Sequence, residues 1–130
     1  MDHATGRILI ADDEPTLLKM LSAYLGRLGY SVTTADTTGQ AWQELEAAPA
    51  EFAAAVLDAS MPGIGLTDLA LKMLAASPSL CVLAASGYPV DISAVAAAAP
   101  GRVDFLQKPF TGEKLVAALR RLLAAQEKGI

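Results

Sequence analysis

The chain has 130 residues, 53% of them hydrophobic and 18% charged, with 10 Lys and Arg against 14 Asp and Glu for a net charge of −4. That length holds one domain with its own core, the composition excludes a disordered chain, and the negative field disfavours direct contact with nucleic acid. Cys81 is the only cysteine, which fits a reducing compartment, and no apolar run reaches the length of a membrane span or a secretory leader, so a cytoplasmic protein is expected.

A tail over residues 1–6, holding the one histidine, His3, leads into an apolar run over 8–11 that reads as a strand and exits into Asp12 and Asp13. Pro15 is tolerated in a first helical turn, and Leu17, Leu18, Leu21, Leu25 and Leu28 then recur at helical spacing until Gly29. A second strand is expected over Ser31–Ala35, followed by a weaker helix carrying Ala41, Trp42 and Leu45 before Pro49. The third strand, over 53–57, ends at Asp58, and a helix over Leu66–Ala76 turns Leu66, Leu69, Ala70, Met73 and Leu74 inward before Ser77-Pro78.

The fourth strand, over 80–85, exits into Ser86. The Ala-rich segment over 91–99 has only Ile92 and Val95 as large anchors, with Ala96 and Ala99 beside them, so it buries little area and is the helix most free to move. A fifth strand over 103–106 leads through Gln107 to Lys108. Thr111 then caps a last helix with Leu115, Val116, Leu119, Leu122 and Leu123 inward, and residues 126–130 read as a tail.

Strands alternating with helices predict an α/β fold, a parallel sheet covered on both faces. The carboxyl ends of its strands share one rim, where such sheets bind ligands, so Asp12, Asp13, Asp58, Ser86 and Lys108 are expected to meet there. Three gathered carboxylates repel one another unless a cation joins them, and ligands that are all oxygen favour Mg²⁺ or Mn²⁺ over zinc. The same set suits phosphoryl transfer: a carboxylate accepts the group, Lys108 neutralises its oxygens and the Ser86 hydroxyl donates to it.

Each residue also has a plainer role open to it. Asp12 and Asp13 can cap the first helix, Ser86-Gly87 can be a turn, Lys108 a loop charge and Phe105 a core residue, while Lys114, Arg120, Arg121 and Lys128 read as a solvated face. Asp58 resists that treatment, because a carboxylate ending an apolar run is costly without a partner. Other motifs fail: the stretch from Gly63 to Asp68 lacks the third small residue of a dinucleotide loop, and no Walker loop is present. A phosphatase of the haloacid-dehalogenase kind needs a second Asp where Ser60 stands.

Asp12-Asp13-Glu14-Pro15, Asp58-Ala59-Ser60-Met61-Pro62-Gly63, Ser86-Gly87-Tyr88 and Lys108-Pro109-Phe110 together resemble the receiver domain of bacterial two-component response regulators, over residues 7–125. The resemblance implies a flavodoxin-like (βα)5 fold with strand order 2-1-3-4-5. It implies that Asp58 is the phosphoacceptor and that Mg²⁺ or Mn²⁺ is held by Asp13, Asp58, the backbone carbonyl of Ser60 and, at greater distance, Asp12. Lys108 matches the salt-bridging lysine and Lys108-Pro109 a cis bond, while Ser86 and Phe105 match the switch pair that repacks the fourth helix, fifth strand and fifth helix.

The partners so implied are a histidine kinase or histidine phosphotransfer protein and a downstream protein whose identity stays open, with a monomer or a weak dimer through the switch face. Two departures stand out. The loop Met61-Pro62-Gly63-Ile64-Gly65 is one residue shorter than the pattern of many receivers, and Ser60 and Tyr88 flank the route of an attacking water, where they are expected to tune the rate of phosphoryl loss. Ser86-Gly87-Tyr88 and the run from Phe105 to Phe110 look especially like receivers attached to hybrid sensor kinases, which leaves a stand-alone shuttle and an excised module both open. The alternative function is a pseudo-receiver, a constitutive docking module with the same fold.

Overall fold

The computed structural model of the protein describes residues 6–128; His3 and most of the expected N-terminal tail, with the last two residues, lie outside them. Along the chain run β1 (Arg7–Ala11), α1 (Pro15–Arg27), β2 (Ser31–Ala35), α2 (Thr38–Ala47), β3 (Phe52–Asp58), α3 (Leu66–Ala76), β4 (Cys81–Ser86), α4 (Ser93–Ala98), β5 (Val103–Gln107) and α5 (Gly112–Lys128). The strands form one parallel sheet in the order β2-β1-β3-β4-β5, the flavodoxin-like topology expected.

The alternation of side chains along the inner strands divides the core in two. Leu9, Ala11, Ala55, Leu57 and Val82 face α2, α3 and α4. Ile8, Ile10, Ala54, Val56, Cys81 and Leu83 face α1 and α5. Because β1, β3 and β4 are covered on both sides they read as unbroken apolar runs, whereas the edge strands β2 and β5 are only half-buried over most of their length. Among the described residues no helix is long and apolar enough to cross a membrane.

Three local expectations are corrected. Leu28 does not join the inward stripe of α1 and stands 40% exposed. The helix ends at Arg27 in a left-handed turn at Gly29 (φ 97°), with Gly29 N–H donating to Gly26 O and Tyr30 N–H to Leu25 O. Past that turn Tyr30, and not Leu28, is buried in the same core cluster as Leu25. Second, α4 is shorter than 91–99, since Asp91 precedes it and accepts from Ser93 N–H at 2.9 Å; only Val95 and Ala99 are buried, and Ile92 and Ala96 are half-buried. Third, α5 continues to Lys128, so residues 126–128 are helical and not tail; Gln126 Nε2 donates to Gly101 O at 2.8 Å and ties α5 to the turn before β5.

Candidate functional site

Asp12 directly follows β1, with its N–H donating to Ala35 O on β2 at 3.1 Å. Asp58 is the last residue of β3 and Ser86 the last of β4, while Lys108 follows β5. The Lys108 N–H donates to Ser86 O at 2.7 Å, which extends the ladder just far enough to turn the lysine towards the sheet's centre. Carboxylate oxygens of Asp12, Asp13 and Asp58 lie within 4.8 Å of one another, with Asp12 and Asp58 buried and Asp13 exposed. The Lys108 ammonium reaches Asp12 Oδ2 at 2.7 Å, Asp58 Oδ2 at 3.5 Å and Glu14 Oε1 at 3.8 Å.

Asp12 and Asp58 are 4% and 6% exposed, so neither can rely on bulk water. Their oxygens are instead divided among partners. Asp12 Oδ1 accepts from Glu14 N–H at 3.0 Å, a turn before α1 and not a cap of the helix, while its Oδ2 takes Lys108. Asp58 Oδ1 accepts from both the N–H (3.2 Å) and the hydroxyl (3.0 Å) of Ser60, and its Oδ2 faces Lys108. Burial alone would lower the lysine's pKa; the hydrogen bond to Asp12 and the charges of Asp12, Asp58 and Glu14 outweigh it, raise the pKa and keep the ammonium charged.

Asp12, Asp58 and the more exposed Glu14 surround a single ammonium, with Asp13 beside the two aspartates, so carboxylates outnumber the one cation among them. The donor set is all oxygen, and the residues fit a hard divalent cation on charge and chemistry alike. Asp12, Asp13 and Asp58 are thus brought together as expected, Lys108 joins them, and the Lys108–Pro109 peptide is cis.

Ser86 is buried, and its Oγ accepts from Tyr88 N–H at 3.2 Å. Phe105 lies half-buried on β5, in register with the small Ala84. Tyr88 is 66% exposed, away from any packed position. A cleft of 440 Å³ beside the acids is lined by Glu14, Leu17, Gly87, Lys108, Pro109 and Phe110.

Two contributors escaped the sequence reading. Glu14 is, in the sequence, only one residue of the Asp12-Asp13-Glu14-Pro15 motif, yet its carboxylate is a third acid around Lys108. Thr38, in the first turn of α2, is a buried polar residue whose hydroxyl donates to Pro62 O at 3.3 Å and accepts from Ile64 N–H at 2.9 Å. The neighbouring Thr37, which caps α2 by accepting from Gln40 N–H, makes Thr38 look like part of an ordinary cap.

Residues 8–120 match the model of the response regulator receiver domain. The chain is 31% identical over 121 residues to the DNA-binding transcriptional regulator NtrC of Rhizobium meliloti (strain 1021), covering 93% of this chain but 25% of that protein. It therefore spans about a quarter of the length of that relative. The receiver domain protein (CheY-like) from Methanospirillum hungatei JF-1 superposes with a TM-score of 0.83 at 27% identity, covering 96% of this chain and 98% of that one. A response regulator protein from Burkholderia pseudomallei, solved with a phosphorylated aspartic acid, calcium ion and citrate, has a TM-score of 0.75 at 25% identity over 96% of this chain and 72% of its own. By sequence along most of its length and by fold, the chain belongs to the response regulator receiver domain family of two-component systems.

Proposed function

We propose that this receiver is a phosphorylation-driven switch that takes a phosphoryl group onto Asp58 from the phosphohistidine of a histidine kinase or histidine phosphotransfer protein. The observation that carries the reading is Asp58 itself: a carboxylate 6% exposed at a strand end, one oxygen held by Ser60 and the other 3.5 Å from Lys108. Oδ2, free of the Ser60 bonds, is the nucleophile. It attacks phosphorus as the bond to the donor's imidazole nitrogen breaks; that nitrogen keeps the electron pair and takes a proton from solvent, and an acyl phosphate remains on Asp58.

Asp12, Asp13, Asp58 and the backbone carbonyl of Ser60 would hold Mg²⁺ or Mn²⁺, which supplies neutralising charge for the transferred oxygens. Lys108, kept charged by the acids, pairs with the same group. The Ser86 hydroxyl accepts from Tyr88 N–H and so retains its own proton to donate to the phosphoryl oxygens. Phe105, on the edge strand β5 opposite the small Ala84 of β4, repacks with Ser86.

A few kcal/mol between two packings is enough for such a switch, and α4, buried only through Val95 and the following Ala99, is the element held least firmly. The α4–β5–α5 face then signals to a downstream protein from the cytoplasm, as a monomer or a weak dimer through that face. Ser60, bound to Asp58, and Tyr88, exposed beyond Ser86, tune the rate at which the group is lost. Acetyl phosphate should label the wild-type protein at Asp58 only with Mg²⁺ or Mn²⁺ present, and should not label Asp58→Ala. A folded wild-type protein that takes no label would instead be the constitutive docking module.

A further inference from the structure

The loop from β3 to α3 carries Ser60, whose carbonyl the functional reading assigns to the cation, and it is held by a residue from another element. Ser60 is tied to Asp58 at one end, and Met61 is buried in the core. Pro62 and Ile64 are both bound by the Thr38 hydroxyl, 24 and 26 residues away in sequence. Gly63 between them adopts φ 102°, and a Cβ there would meet Thr38 Oγ1 at 2.5 Å. The backbone is therefore curled around one hydroxyl, at a residue only 5% exposed.

A buried threonine that uses its donor and its acceptor on two backbone groups of one short loop is a specific support. Without it the Pro62 carbonyl and the Ile64 N–H would have to find other partners, and the curl at Gly63 would have nothing to close upon. The freedom so released is next to the Ser60 carbonyl, since only Met61 separates Ser60 from Pro62.

We propose that Thr38 is a positioning residue for the divalent cation: through Pro62 and Ile64 it holds the shortened loop so that the Ser60 carbonyl is presented to the acids. The inference rests on the reading of Asp12, Asp13, Asp58 and that carbonyl as the cation's ligands. Thr38 touches neither the cation nor the phosphoryl group. It acts on the loop alone, as an outer partner that orients a ligand.

The experiment is a MgCl2 titration of the full chain followed by calorimetry, with thermal unfolding in Mg²⁺ and in chelator. Thr38→Val keeps the shape and removes the hydroxyl; it should bind Mg²⁺ about tenfold more weakly, the lower end of what loss of a ligand-orienting partner costs. Thr38→Ser, which keeps the hydroxyl, should bind as the wild type does. Thr38→Ala serves if the valine variant does not fold, and the same weakening is expected. Acetyl phosphate labelling of the hydroxyl-free variants should fall at limiting Mg²⁺ and recover at saturation.

A purely structural role would lower the melting temperature equally with Mg²⁺ and with chelator, leaving affinity unchanged; that result in a folded Thr38→Val or Thr38→Ala overturns the proposal. Failure of the site reading itself is visible in the wild type alone, as no Mg²⁺ response and no label at Asp58, and it would take this inference down with it.

Discussion

Lys108 is the sole cation within 4 Å of the acid cluster among the described residues, and its removal tests the electrostatics of the whole site. Lys108→Ala leaves the side chains of Asp12 and Asp58, 5% and 2% exposed, facing each other without the ammonium that lies 2.7 and 3.5 Å from them. Removing one partner of a buried ion pair strands the other charge, and about 3 kcal/mol of destabilisation is expected in chelator at pH 7. For a chain of this length that is a drop of about 10 °C in melting temperature. Mg²⁺ should return more than half of the loss, because a divalent cation compensates the same carboxylates.

The pH dependence has a definite sign. The lysine's pKa is raised in the folded state: burial opposes the charge, and the Asp12 hydrogen bond and the acids' charges overcome it. Its stabilisation is thus fully present below the unfolded lysine value of about 10.4 and is lost as pH rises through the higher folded value. Urea unfolding of wild type and Lys108→Ala in chelator should differ by a constant amount from pH 7 to about 10, and the two should converge above that. A variant within 0.5 kcal/mol of wild type at neutral pH, roughly the scatter of unremarkable surface substitutions, would refute the argument that Lys108 holds this cluster together.

Two other outcomes follow from single side chains. Tyr88→Ala should shorten the lifetime of the phosphorylated form by no more than about fivefold, the worth of about 1 kcal/mol of barrier, if the ring restrains an attacking water; an unchanged decay of labelled protein would exclude that role. The Cys81 thiol is wholly buried, and burial, only partly offset by Arg102, pushes its pKa up to about 11. Native protein at pH 8 should therefore resist thiol reagents and react only at the rate of unfolding, so rapid labelling without denaturant would contradict the packing of β4 against α5.

The order of strands and helices was legible because each depends on neighbours close in sequence. Strands β1, β3 and β4 carry apolar runs since both their faces are covered, and the spacing of Leu69, Ala70, Met73 and Leu74 with Ser77-Pro78 behind them marks out α3. Asp58 stood out for the same local reason: a charge ending a buried run demands a partner. The sequence could also say which strand ends share a rim, and therefore that Asp12, Asp13 and Lys108 would meet Asp58, because a parallel sheet puts every carboxyl end on one side.

What local pattern reads wrongly, or does not reach, depends on distances across the fold. The spacing puts Leu28 on the α1 stripe, but a left-handed turn at Gly29 leaves it exposed and buries Tyr30, two residues later. The extent of α4 depends on how Asp91 bonds Ser93, and the end of α5 on a contact between Gln126 and Gly101 that no periodicity encodes. Glu14 counts among the acids around Lys108, and Thr38 among the supports of the short loop, only because packing brings residues far apart in sequence to within hydrogen-bonding or ion-pairing range. Local pattern specifies elements through burial and backbone geometry; the partner of a given polar atom is chosen by the assembled tertiary structure, where leaving it unpaired is what costs.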